Sequence, residues 1–100
     1  METFILMKSD KKQKKWMIIY GEKKIHFGQK GFSDFTLNKD PKRKKNYIAR
    51  HEKRENWNKS GIDTSGFWSK HLLWNKPDLK ESIKDTEKRF NIKIKFKKNI

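Results

Sequence analysis

The sequence predicts an α+β fold: a small antiparallel β-sheet, made of an N-terminal meander plus a C-terminal strand, packed with about three helices. Three observations carry the prediction. The first thirty residues hold runs of β-branched and aromatic side chains separated by turn residues. From residue 40 the apolar residues change to helical spacing. Residues 92–97 return to strict alternation, which a strand at the edge of that sheet would show.

Each element has its own local signal. Residues 3–8 (Thr-Phe-Ile-Leu-Met-Lys) read as a strand with Phe4 and Leu6 on one face. A polar stretch leads to residues 15–20 (Lys-Trp-Met-Ile-Ile-Tyr), where Trp16, Ile18 and Tyr20 share a face. Gly21-Glu22 suits a tight turn, and Lys24-Ile25-His26-Phe27 makes a third strand. Gly28 and Gly31 bracket a loop that calls for positive φ, and residues 33–37 fit a short fourth strand. Asp40-Pro41 reads as an N-cap followed by proline at the first helical position, opening a helix over 41–55. Thr64 or Ser65 caps a short helix that ends near Trp74, and Pro77 opens another. Leu79, Ile83 and Phe90 stripe that last helix. Asp78 and Glu81 sit in its first turn and Lys88 and Arg89 in its last, matching the helix dipole. Ile92, Ile94 and Phe96 then alternate with Lys93, Lys95 and Lys97, whose charge suits a sheet edge. The expected core is Trp16, Ile18, Ile25, Phe67, Trp68, Leu72, Ile83 and Phe90.

Composition narrows the function classes. One hundred residues make a single domain the expectation. Only 32% of residues are hydrophobic, but 13% are aromatic, so a few large side chains can build the core that a basic disordered tail would lack. The net charge is +15, and such self-repulsion in a compact chain points to an anionic partner. Part of the excess has a bland origin, since Lys outnumbers Arg 23 to 4 as in an AT-rich genome. Without cysteine there is no disulfide, thiolate metal site or cysteine nucleophile, and a reducing compartment is expected. The apolar start is too short for a signal peptide or membrane span, so neither secretion nor a membrane partner is expected.

One ordered set of segments is distinctive. It begins with Phe27-Gly28-Gln29-Lys30-Gly31-Phe32-Ser33-Asp34-Phe35-Thr36, then Lys39-Asp40-Pro41-Lys42-Arg43-Lys44-Lys45-Asn46-Tyr47-Ile48-Ala49-Arg50-His51. Gly61-Ile62-Asp63-Thr64-Ser65-Gly66-Phe67-Trp68-Ser69-Lys70, Leu72-Leu73-Trp74-Asn75-Lys76-Pro77 and Ser82-Ile83-Lys84-Asp85 follow. Across residues 25–90 the chain resembles a family of small basic proteins encoded by giant DNA viruses of algae and protists, of the phycodnavirus and mimivirus type. The resemblance implies a viral origin and one compact domain. It brings no activity and no catalytic residue.

The candidate binding site is the first long helix. Residues 39–54 carry eight basic residues and two acids, a local net of +6. Lys42, Arg43, Lys45, Arg50, Lys53 and Arg54 can form a cationic face beside Tyr47 and Ile48, able to neutralise phosphates without base-specific geometry. An ordinary solvated helix face has the same composition. Arginine tips the balance, because its planar fork pairs bidentately with phosphate and three of the four arginines fall here. Trp57, in the polar stretch Glu55-Asn56-Trp57-Asn58-Lys59, is the best candidate for an exposed aromatic able to stack on a base. Trp68 and Trp74 are better spent on the core. His26, His51 and His71 are spread out without metal-ligand spacing, and His71 reads as a packing residue. Asp40 reads as a cap and Asp34 as a turn residue, so no catalytic residue, metal or cofactor is expected.

The sequence therefore predicts a non-catalytic, sequence-independent nucleic-acid-binding protein, with DNA favoured over RNA, that accompanies a viral genome in the virion and in the host cytoplasm or nucleus. A virion structural protein that binds an acidic protein partner through the same basic face is the competing class. An enzyme, or an inhibitor of a host enzyme, is the third.

Overall fold

The computed structural model describes residues 2–97. Four strands form one sheet: β1 Thr3–Lys8, β2 Lys14–Tyr20, β3 Lys23–Gln29 and β4 Lys93–Phe96, in the spatial order β3-β2-β1-β4. The first three make the expected antiparallel meander. The last strand returns to the sheet as the alternation predicts, but it runs parallel to β1, so the sheet is mixed. The meander leaves β1 with one free edge. The helical half of the chain then serves as the long crossover that parallel pairing requires. Lys93 N–H donates to the Glu2 carbonyl (2.9 Å) and Lys97 N–H to that of Leu6 (2.8 Å), which locks the register.

A row of apolar residues crosses the sheet because the strands pair in step: Ile25 opposite Ile18, Ile18 opposite Leu6, and Phe4 opposite Ile94. These residues form one buried cluster with Phe67, Trp68, Leu72, Leu73, Trp74 and Ile83. Six of the eight expected core residues are buried there, while Trp16 and Phe90 are half-buried and pack against its rim.

The helices differ from expectation in ways that their caps explain. Residues 33–37 are not a strand. Phe35–Asn38 forms a short helix, α1, whose N-cap Asp34 accepts hydrogen bonds from the Thr36 N–H (2.9 Å) and hydroxyl. Asp34 is only 2% exposed, and Lys15 Nζ neutralises it at 2.7 Å. A buried capping carboxylate with a counter-ion beside it overrides a weak alternating pattern. Helix α2, Pro41–His51, has Asp40 as its N-cap and proline in its first turn, as predicted. It ends at His51 rather than near residue 55, where the Arg54 N–H turns back three residues to the His51 carbonyl in place of the helical bond to Arg50.

Thr64 caps α3, Ser65–Trp68, which runs on as a π-helical turn, Ser69–Leu73. Helix α4, Leu79–Phe90, starts from Asp78 as N-cap, so Pro77 precedes the helix instead of opening it and Asp78 lies just outside the first turn. The Asp78 carboxylate accepts from Lys80 N–H and holds the start, and Asn91 at φ 54° ends the helix.

Helix α2 stands beside the helical layer. Its Tyr47 stacks on Trp74 with ring centroids 4.5 Å apart and planes 7° from parallel. Lys44 donates to the Asn75 carbonyl (2.6 Å) and lies 5.2 Å from the centre of the Phe35 ring, and burial pushes its pKa down. One lysine of the basic run is thus committed to holding the helix in place.

Candidate nucleic-acid interface

A groove of about 640 Å³ opens between α2 and the loop after β3. Tyr47, Ser69, Leu73 and Trp74 contribute to its lining, and the Tyr47 hydroxyl lies 3.3 Å from Ser69 Oγ. Burial pushes the Tyr47 phenol up to about 12, so it stays protonated. Arg43, Asn46, Arg50, His51 and Arg54 line the α2 side. Lys15, Gly28, Gln29, Phe32, Ser33 and Asp34 line the loop side.

Helical periodicity selects those residues. At 3.6 residues per turn, Arg43, Tyr47, Arg50 and His51 fall on one stripe of α2. Arg54, four residues after Arg50, continues the same side through the turn after His51, and its Nη2 lies 3.4 Å from the Arg50 carbonyl. Lys45 lies about 200° around the axis from Arg43, and Lys42 about 100° to one side. The six-residue cationic face therefore divides. Arg43, Arg50 and Arg54 converge on the groove, whereas Lys42, Lys45 and Lys53 are exposed and do not line it.

The charge state of the groove follows from its ion pairs. Among the described residues, no carboxylate lies within ion-pair distance of Arg43, Arg50 or Arg54. The fourth arginine, Arg89, is held by Asp85 at 3.3 Å. The carboxylate that reaches the groove, Asp34, is already matched by Lys15. Glu55, next to Arg54 in sequence, lies 3.4 Å from His51 and accepts from the Trp57 indole. Three exposed guanidiniums without counter-charges repel one another, and an anion in the groove relieves that repulsion. Their forks suit phosphate oxygens.

Trp57 is not the exposed aromatic that its polar surroundings predict. It is half-buried against the core, and its indole N–H donates to Glu55 Oε1 (3.2 Å). The Lys70 ammonium stands 5.6 Å from its ring centre. Trp57 does not line the groove. Phe32 does, and it is 64% exposed. Only one feature of the sequence marked it: an aromatic directly after Gly31, outside both the third strand and the alternating run at 33–37.

The remaining candidates are structural. His71 is 2% exposed, with Nε2 2.9 Å from the Trp57 carbonyl and no partner at Nδ1. Both glycines adopt the positive φ expected of them, 76° at Gly28 and 86° at Gly31, but Gly28 lies within β3 rather than at the start of a loop. Among the described residues no three His, Asp or Glu side chains gather as metal ligands, and no helix is long and apolar enough to cross a membrane.

Comparison with known proteins adds one family. Over residues 4–51 the chain is similar to a family of unknown function (DUF5754). That span takes in the meander, α1 and α2, and so holds Arg43, Arg50 and Phe32 but not Arg54. No curated protein matches the chain, and no solved structure does.

Proposed function

We propose that this protein is a non-catalytic, sequence-independent nucleic-acid-binding protein of a large DNA virus, that DNA is its main polymer, and that it accompanies the viral genome. The observation that carries the reading is the convergence of Arg43, Arg50 and Arg54 on one groove without a carboxylate partner among the described residues. Phosphate contacts need charge and reach more than exact register, so such a site binds any sequence. The viral setting rests on the sequence resemblance alone.

Binding to random duplex and single-stranded oligonucleotides over a salt series tests this. Replacing Arg43, Arg50 and Arg54 by Gln should flatten the plot of log affinity against log salt by about 2–3. Replacing Lys42, Lys45 and Lys53 by Gln gives a charge-matched control, since both triples carry +15 − 3 = +12. The control should lose less than half as much slope. No retardation of DNA or RNA by the parent at 50 mM salt would sink the nucleic-acid reading. The virion-interaction reading would then take its place, supported by the outer strand β4, where Lys93 and Lys95 are exposed and Phe96 is 40% exposed. Equal losses from the two triples would leave the function and move the site.

A further inference from the structure

We infer that the groove selects an unpaired strand, with Phe32 as the platform on which one base stacks while Arg43, Arg50 and Arg54 hold the neighbouring phosphates. This rests on the phosphate-binding reading above and names the form of polymer that it serves.

The first argument is the placement of Phe32. The chain has few hydrophobic residues, and its aromatics are largely drawn into the core or against it. Phe32 instead stands 64% exposed on the groove that carries the free arginines. An exposed aromatic beside a cationic track is the pairing that single-strand binders use, because every base offers a π-face.

The second argument is rigidity. The ring rises from a loop tied down on several sides. Lys30 N–H donates to the Gln13 carbonyl (2.9 Å) and Phe32 N–H to that of Gln29 (3.3 Å). Lys15 Nζ donates to the Phe32 carbonyl (2.6 Å) while also pairing with Asp34. The backbone under the ring is thus fixed before a ligand arrives, and only two side-chain torsions remain to be ordered. A preorganised platform loses little entropy on binding.

The third argument is size. A groove of about 640 Å³ admits a nucleotide or two, whereas a duplex keeps its bases stacked inside and offers only its backbone. Arg43 and Arg50 are seven residues apart on α2, about 10 Å along its axis, so together they span more than one phosphate of a strand. The way out is basic as well. An adjoining cleft of about 450 Å³ shares Lys15 and Asp34 with the groove and adds Lys8 and Lys30.

The test is fluorescence anisotropy at 50 mM salt with three probes: a labelled dT12 strand, a 12-base-pair duplex, and an abasic 12-mer with the same phosphates. The parent should bind dT12 more tightly than either of the others. Phe32→Ala should weaken dT12 binding roughly 5- to 100-fold and leave the abasic strand unchanged. Phe32→Trp should restore it. Because the side chain is exposed, Phe32→Ala should melt at the parent's midpoint. Equal binding of dT12 by the parent and Phe32→Ala overturns the inference, as does a parent that prefers duplex or binds the abasic strand equally well. Competition by free thymidine monophosphate as effective per nucleotide as dT12 overturns it in favour of a nucleotide pocket. The two readings fail separately. If the arginine triple loses all three probes and Phe32→Ala loses none, only the stacking assignment falls. If the parent binds no probe, the phosphate reading falls with it.

Discussion

Acid should destabilise this protein through a single histidine. His71 is packed between Phe67 and Phe90, with ring centroids at 4.5 and 4.8 Å. For the ring to be neutral and bonded to the Trp57 carbonyl, its proton must sit on Nε2, which leaves Nδ1 as a bare buried acceptor. Protonation would place a second N–H where nothing can accept it. Burial therefore pushes the pKa down to about 4. The bond to Trp57 opposes the fall, and the charges of Lys70 and Arg89 add to it. Between pH 6.5 and 4 the unfolded chain holds the proton and the folded chain does not, so stability is fully present above pH 6.5 and falls with pH through that window. The loss saturates at about 3 kcal/mol and reaches about 2 kcal/mol at pH 5. Asp85 does not blur the window. The Asn75 amide, and then Arg89, hold its carboxyl below the usual range, so it is ionised throughout. Urea melts followed by tryptophan fluorescence at pH 7.5, 6 and 5, on the parent and on His71→Gln, isolate the effect because other titrations cancel between the two. The gap between them should close by about 2 kcal/mol from pH 7.5 to 5. A gap independent of pH would show that His71 is protonated in the folded state or reached by water.

Two further perturbations test the packing. Trp68 is fully buried and its indole N–H donates to the Ile62 carbonyl at 2.7 Å, so Trp68→Ala should cost about 3–5 kcal/mol, most of a small domain's stability. Half-buried Phe90→Ala should cost clearly less, and equal midpoints in urea would contradict the burial. Gly28→Ala should cost about 2–4 kcal/mol, because φ is 76° and a Cβ would lie 2.8 Å from Leu73 Cδ1. A change below about 1 kcal/mol by the same melt would mean that the groove wall yields more readily than its packing implies.

Much of the architecture is local, and for that reason it was legible. Alternation placed Phe4, Leu6, Ile18 and Ile25 on the covered face of the sheet, since a strand's period of two is a property of the residues themselves. Asp40 and Thr64 act as caps because a short acceptor side chain satisfies the nearest free N–H whatever the rest of the chain does. Two local misreadings have local causes. Alternation at residues 33–37 competed with Asp34 as a cap, and it lost because Lys15, far away in sequence, neutralises that carboxylate. Pro77 looked like a helix start because Asp78, one residue later, is the cap that the chain uses.

The sequence by itself determined that an α+β domain forms, which strand residues face inward, and that arginine concentrates on one helix and the turn that follows it. The tertiary structure decided the parallel pairing of β4 with β1, because a strand's own pattern carries no information about which edge remains free. It also decided what the arginine stripe faces. Periodicity put Arg43, Arg50 and Arg54 on one stripe and left Lys53 aside, but only the packing of α2 beside the end of β3 and the loop after it made that stripe one wall of a groove. It exchanged the aromatic beside those arginines as well. Trp57 was drawn against the core, where its indole and carbonyl both find partners. Phe32 was held in water by a loop anchored through Lys15. Neither outcome is written in the neighbours of Trp57 or Phe32, because exposure depends on contacts between segments that lie far apart along the chain.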